Sequence, residues 1–230
     1  MNYSSLFFDL DDTLWDTAHN NKECLEEIYS AYRFGRYYAS FDDFYTVYMP
    51  NNLLLWAKYR NHVIDRRTLI AERFLYVLRP MGISDEEYAL ELNKDFLQRT
   101  ATKTGLIDGA IELLEYLFRR YRLFILSNGF REIQSLKMQN SGLAPYFERI
   151  FLSEDVSIQK PHKAIFDYAL KSSNSRRAES LMIGDCWESD IAGAENARID
   201  RIWFNPRHEA PKGNPPTFTV HALSELKKIL

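Results

Sequence analysis

Leu6-Phe7-Phe8-Asp9-Leu10-Asp11-Asp12-Thr13-Leu14 sets three large apolar residues directly before a cluster of carboxylates. The apolar run has the length and composition of a buried strand, and charge begins where burial stops, at a sheet edge. Asp9 and Asp11 lie two apart and so leave the strand end on one side, with Asp12 turned away and Thr13 returning a hydroxyl to the same place. Carboxylates so arranged can share a proton or hold a divalent metal, and an ionised one can attack an electrophile such as phosphorus. A polar turn with a helix cap after it is the plainer reading of Asp-Leu-Asp-Asp-Thr. An acidic triplet directly behind three bulky apolar residues is hard to reconcile with a solvated loop.

Downstream, residues 17 to 100 repeat apolar side chains at helical spacing: Leu25, Ile28, Tyr29 and Tyr32, then Phe41, Phe44, Tyr45 and Tyr48, then Ile70, Phe74, Val77 and Met81. Ser40 with Asp43, and Ser84 with Glu87, have the spacing of capping boxes. The stretch is long enough for a small helical domain with its own core, inserted behind the first strand where a lid belongs. Its stripes read as interhelical core, and Lys58, Arg60, Arg66 and Arg67 as solvated helix faces.

From residue 101 the pattern becomes an alternation of helix and short apolar run. Asp108 is positioned to cap a helix carrying Ile111, Leu114 and Leu117, and Leu123 to Leu126 is a strand that ends in Ser127-Asn128-Gly129. A helix on Ile133, Leu136 and Met138 follows, then a strand over 149–152 and a helix opened by Pro161. Ser180 to Ile183 is a strand ending in Gly184-Asp185, and Asp190 to Ala197 a helix. Strands over 201–204 and 217–220 and a helix on Leu223, Leu226 and Leu230 complete the chain. Strands alternating with helices imply an α/β fold, a Rossmann-like parallel sheet formed by residues 1–16 and 101–230, with 17–100 as the inserted all-helical cap. Ligands of such sheets bind beyond the carboxyl ends of the strands, where Asp9, Ser127 and Asp185 all stand.

Three further sites bear on chemistry. The Ser127 hydroxyl and the amides of Asn128 and Gly129 can face an anion at a helix N-terminus, although an ordinary N-cap serine fits the position equally well. Lys160 precedes a proline and is thereby extended at the mouth of the next helix; a lone Lys-Pro is otherwise a surface turn. Gly184-Asp185-Cys186-Trp187-Glu188-Ser189-Asp190 is a second acidic cluster behind an apolar strand. Asp9 and Asp185 can supply the carboxylates that Mg²⁺ needs, and Asp190 fits a partner of Lys160 or a helix cap.

Taken in order, Asp9 with Asp11 and Thr13, Ser127, Lys160, and Asp185 with Asp190 resemble the four signatures of the haloacid dehalogenase superfamily. The resemblance implies a Rossmann-like core under a cap, Mg²⁺ dependence and an aspartyl-phosphate intermediate. Asp9 is then the nucleophile, Asp11 the acid and base, and Lys160 the neutralising cation. Thr13, Ser127, Asn128 and Gly129 hold the phosphate, and Asp9, Asp11, Asp185 and Asp190 form the metal set. An acid at Asp11 separates the chain from the dehalogenases of that superfamily, and Asp12 from the mutases, which leaves a phosphatase. Thr13-Leu14-Trp15-Asp16-Thr17, with Asn20 and a tyrosine-rich helix behind it, resembles the pyrimidine 5'-nucleotidases of the cytosol. The implied substrate is a small phosphorylated metabolite, a nucleoside monophosphate first. A sugar-phosphate or phosphoglycolate phosphatase is the alternative, and a phosphoacceptor signalling module another, though that would have no use for the insert or for Asp11.

The bulk numbers narrow the field. A formal net charge of −3 over 230 residues gives no concentrated basic face for a nucleic-acid polymer. Cys24 and Cys186 form no disulfide framework or metal motif, and the five histidines have no zinc-ligand spacing, which fits a reducing cytoplasm. No apolar run approaches bilayer length and the N-terminus lacks secretion-signal features, so neither a membrane nor export is expected.

Overall fold

The computed structural model describes residues 3–230. It divides into two compact units, Met1–Thr17 with Thr104–Leu230, and Ala18–Lys103.

The first unit is built on a six-stranded sheet whose strands all run parallel: β1 (Ser5–Phe8), β2 (Arg122–Ser127), β3 (Arg149–Leu152), β4 (Ser180–Gly184), β5 (Asp200–Phe204) and β6 (Phe218–Val220). Their order is β3-β2-β1-β4-β5-β6. Every side chain of β1 is buried, as a central strand covered on both faces requires. Period-two alternation sends Leu6 and Phe8 to one face, with Leu123, Ile125, Leu181 and Ile183, against Leu113, Leu114 and Leu117 of the helix Ala110–Leu117. Phe7 goes to the other face, with Phe124, Phe151 and Met182, against Ile165, Phe166 and Ala169 of Lys163–Ser172. The rings of Phe7 and Phe124 stack at 5.1 Å.

The second unit is helical, as expected for the insert. Its helices are α1 (Thr17–Ala31, whose first residue belongs to the other unit), α2 (Phe41–Arg60), α3 (Arg66–Leu78) and α4 (Glu86–Thr102). Aromatic rings fill the centre: Phe44 lies 5.4–6.2 Å from the rings of Tyr29, Phe34, Tyr38, Phe41 and Tyr48. Ser40 caps α2, its hydroxyl accepting from the Asp43 amide at 3.1 Å. Lys58 and Arg67 are exposed, Arg60 and Arg66 half-buried.

Several local expectations move by a residue or more. The cap of α4 is Asp85 and not Ser84: the Asp85 carboxylate accepts from the Tyr88 amide at 3.1 Å, and an ionised cap complements the helix N-terminus better than a hydroxyl. Continuing in chain order, α5 (Ala110–Leu117) starts behind Gly109 at φ 77° and not behind an Asp108 cap, because only glycine enters that turn without strain. In α6 (Arg131–Asn140) the inward residues are Ile133, Gln134, Lys137 and Met138, while Leu136 is 42% exposed. Pro161 does not open α7 (Lys163–Ser172); His162 caps it, its Nδ1 accepting from the Ala164 amide at 3.1 Å. Residues after Cys186 form one wide π turn, Trp187–Ile191, before the short α8 (Ala192–Asn196), and Leu223–Lys228 is a 3₁₀ helix.

If Phe44 anchors the helical core, truncating it removes a buried ring and leaves a cavity worth about 3–5 kcal/mol. In Phe44→Ala, hydrogen exchange should accelerate across α1–α4 and leave the amides of β1, β2 and β4 protected. Leu53→Ala, at a side chain 61% exposed, should change neither. Equal loss of protection in the sheet would show that Phe44 does not act on the helical unit alone.

Candidate active site

The chain runs outward from β1 in both directions across the sheet, so the strand order reverses beside it, and the carboxyl ends of β1, β2 and β4 bound the crevice where the reversal opens the sheet. Phe8 pairs in register with Ile125 on one side and Ile183 on the other. The next residues of each strand, Asp9, Leu126-Ser127 and Gly184-Asp185, therefore emerge together.

Asp9 is almost wholly buried, and its backbone amide donates to the Ile183 carbonyl at 2.9 Å. The Lys160 ammonium, 1% exposed, donates to Asp9 Oδ1 at 2.6 Å and to the Leu126 carbonyl at 2.6 Å, and lies 2.7 Å from Asp190 Oδ1. A reciprocal pair fixes the lysine's backbone: its N–H donates to Asn128 Oδ1 at 2.8 Å, and Asn128 Nδ2 donates to its carbonyl at 3.0 Å. Thus Asn128, expected at the phosphate, uses its side chain to seat Lys160.

Asp190 is fully buried and has both oxygens occupied, Oδ2 accepting from the Cys186 amide at 3.1 Å and Oδ1 from Ser189 Oγ at 3.2 Å. Position 184 must be glycine for this, since a Cβ there would run into the Asp190 carboxyl. Thr13 faces Asp185, donating to its Oδ1 at 3.2 Å and accepting its amide at 3.1 Å. Trp203 Nε1 holds the Asp185 carbonyl at 2.8 Å. Asp12 takes the left-handed region at φ 59°, and its charge adds to the rise of the Asp185 carboxyl.

Asp11 belongs to a separate network. Its Oδ1 accepts from Lys137 Nζ at 2.5 Å and Thr17 Oγ1 at 3.2 Å, and its Oδ2 from Gln134 Nε2 at 2.6 Å. The same Gln134 nitrogen lies 2.8 Å from Ser127 Oγ, which also accepts from the Gly129 amide at 3.0 Å. Gln134 and Lys137 escape a reading of the sequence because polar residues on an amphipathic helix look outward; their only signal is a spacing of three beside Ile133 and Met138.

The two networks differ electrically. Burial pushes Asp9 up to about 8, with the Lys160 charge opposing and the Asp190 and Asp11 charges adding to the rise. Burial and the charges of Asp190, Asp9 and Asp12 likewise raise Asp185. Burial works against the Lys160 ammonium, but Asp190 and Asp9 outweigh it and raise its pKa. Burial would raise Asp11 too; the Lys137 charge and the donors Lys137, Gln134 and Thr17 overcome it and hold the carboxyl below its usual range.

Oxygens of Asp9, Asp185 and Asp190 lie within 4.8 Å of one another. Three carboxylates face one ammonium there, so a divalent cation restores neutrality, and all the donors are hard oxygens. These residues fit Mg²⁺. Asp11, also expected in the metal set, is turned to Lys137, Gln134 and Thr17.

The profile of the haloacid dehalogenase-like hydrolases matches residues 3–198. Pyrimidine 5'-nucleotidase YjjG of Escherichia coli (strain K12) is 33% identical, over 100% of this chain and 99% of its own. Pyrimidine 5'-nucleotidase PynA of Streptococcus pneumoniae (strain ATCC BAA-255 / R6) is 31% identical, over 98% and 94%. Among solved structures, the putative HAD-hydrolase YfnB of Bacillus subtilis bound to magnesium superposes with a TM-score of 0.91 at 29% identity, covering 100% of this chain and 99% of that one. A parallel sheet in this order, a helical insert behind its first strand, and full-length likeness to these proteins make the chain an enzyme of the haloacid dehalogenase-like hydrolase family.

Proposed function

We propose that this hydrolase is a Mg²⁺-dependent phosphomonoesterase that carries the phosphoryl group on Asp9, and that its preferred substrates are pyrimidine nucleoside 5'-monophosphates. The observation that carries the reading is the division of labour between two carboxylates two residues apart: Asp9 in a buried pair with Lys160, Asp11 in a donor-rich network of its own. The nucleotidase relatives support the choice of substrate.

In this mechanism Lys160 fixes Asp9 Oδ1, and Oδ2 attacks phosphorus in line. The new P–O bond forms as the ester P–O bond breaks, and Asp11, ionised in the resting site, takes the proton of the entering phosphate monoester and passes it to the departing oxygen. In the second half Asp11 takes a proton from water, the water oxygen bonds to phosphorus, and the bond to Asp9 breaks to release inorganic phosphate. The Ser127 hydroxyl, whose oxygen already accepts from Gln134 and Gly129, keeps its proton for a phosphoryl oxygen. Asp9, Asp185 and Asp190 are the residues that would hold Mg²⁺, which would supply positive charge to the phosphoryl group. Thr13 orients Asp185 in that set.

Asp9→Asn should lower turnover of 4-nitrophenyl phosphate by at least about 10³-fold with an unchanged circular dichroism spectrum. Retained turnover would remove Asp9 as nucleophile.

The metal assignment has a readout that needs no activity. Between its ordinary 3.8 and about 8, Asp9 holds in the folded chain a proton that the unfolded chain has lost. The folded state binds the extra proton, so metal-free stability should fall as pH rises through that window. Mg²⁺ competes with the proton, so its stabilisation should grow in the same direction, about 2.7 kcal/mol where the ion reaches 100 times its Kd. Thermal melts with Mg²⁺ or a chelator at pH 5.5 and pH 8 test this, and Asp185→Asn should blunt the Mg²⁺ response. A pH-independent shift in both proteins would refute the site.

Substrate class is decided by a panel of phosphate esters in Mg²⁺. Pyrimidine monophosphates should give the highest kcat/KM, by about tenfold or more, a difference of 1.4 kcal/mol at the transition state. Higher values for sugar phosphates or phosphoglycolate would overturn the nucleotidase reading while leaving the phosphatase.

A further inference from the structure

Asp11 is held more completely than proton transfer alone requires. Lys137, Thr17 and Gln134 fill three acceptor positions on its two oxygens, of about four that a carboxylate offers. The open one lies on Oδ2, beside the Gln134 contact, and Lys137 and Gln134 decide which way it faces.

Neither residue is placed there by its own burial preference. Lys137 is 6% exposed and Gln134 1%, on a helix whose aliphatic Leu136 is left outside. The Lys137 ammonium also lies 3.9 Å from the centroid of the Trp15 ring, itself fully buried, a contact that attracts the cation and limits its swing. Trp15 belongs to the motif that follows the acidic triplet, and its ring gives that motif a physical task. Gln134 donates from a single nitrogen to Asp11 Oδ2 and Ser127 Oγ. A side chain at position 129 would strike Gln134, so the glycine there leaves room for this bridge.

We propose that Gln134 and Lys137 are positioning residues for phosphoryl transfer: Lys137, steadied by Trp15, orients the Asp11 carboxylate toward the departing oxygen, and Gln134 fixes its distance from the Ser127 hydroxyl. The proposal rests on Asp11 as the acid and base of the proposed function. Asp11 touches the ester oxygen; Lys137 acts through Asp11. Loss of Lys137 therefore matters most when the leaving oxygen needs its proton. Phenolate is a poorer leaving group than 4-nitrophenolate, so the two aryl phosphates separate proton delivery from everything else the site does.

Steady-state kinetics of the full chain in Mg²⁺ on phenyl phosphate and 4-nitrophenyl phosphate test it, with wild type, Lys137→Met, Lys137→Arg, Gln134→Leu and Asp11→Asn. For Lys137→Met we expect kcat/KM on phenyl phosphate, which reports only the steps up to departure of the phenol, to fall by about 10- to 100-fold, the scale of a misplaced catalytic group. On 4-nitrophenyl phosphate the fall in kcat/KM should be about tenfold smaller. Lys137→Arg, which keeps the cation and its ring contact, should recover most of the phenyl phosphate rate. Gln134→Leu should show the same leaving-group dependence together with a raised KM, because the Ser127 hydroxyl loses its anchor. An unchanged circular dichroism spectrum reports that each variant is folded.

An equal fall in kcat/KM on both esters, or Lys137→Met at wild-type values, overturns the proposal. Asp11→Asn keeps its failure distinct from that of the underlying reading. A leaving-group dependence in Asp11→Asn that is missing from Lys137→Met sinks the positioning role alone. If Asp11→Asn itself turns over phenyl phosphate normally, the acid–base assignment falls and this proposal falls with it.

Discussion

A buried ammonium between two buried carboxylates organises the first unit of this protein. Lys160 reaches Asp9, Asp190 and the Leu126 carbonyl within 2.7 Å, and so joins the ends of β1 and β2 to the turn behind β4. Such a group is costly to desolvate and stable only when its donors are answered. Removing one partner from a buried pair of this kind costs about 3–5 kcal/mol, because the other charge is stranded. The surrounding sequence is fitted to it: Asn128 clamps the lysine backbone from both sides, and Gly184 leaves space for the Asp190 carboxyl.

That ammonium is insufficient for the charge it faces. Asp9 is pushed up to about 8 by burial even with Lys160 at 2.6 Å, and Asp185 rises with it. The sheet supplies the burial: β1 is covered on both faces and its tip points into the crevice at the reversal of strand order. A site short of positive charge favours whatever brings it, which is the physical content of the proposed Mg²⁺ dependence. Two residues on, Asp11 has no such deficit, because Lys137, Gln134 and Thr17 answer it. Neighbouring carboxylates thereby acquire opposite tendencies: Asp9 needs added positive charge to ionise, whereas Asp11 is ionised by the donors around it.

The helical unit is a different kind of object. Its interior is aromatic, with Phe44 touching five other rings, and it encloses Arg73, 3% exposed, between the faces of Trp56 and Phe96 at 5.8 and 5.5 Å. Aromatic surface and cation–π contact stabilise such a core without a sheet.

Read alone, the sequence determines the parallel sheet and the helical insert, because hydrophobic period and the abrupt change from apolar to acidic at Phe8-Asp9 are local properties. It also brings out Asp9, Ser127, Lys160 and Asp185, each sitting where an apolar strand stops or a helix is about to start. It does not determine what these side chains bond to. Asn128, whose backbone amide is expected at the phosphate, clamps Lys160 with its side chain; Thr13 faces Asp185; Asp85 caps in place of Ser84. Gln134 and Lys137 were invisible, since a polar residue on a helix is turned inward only by what waits there, and Asp11 stands more than 120 residues away in the chain. Local pattern fixes where elements begin and which face is apolar, whereas the pairing of buried charges depends on distances that exist only once the strands are side by side.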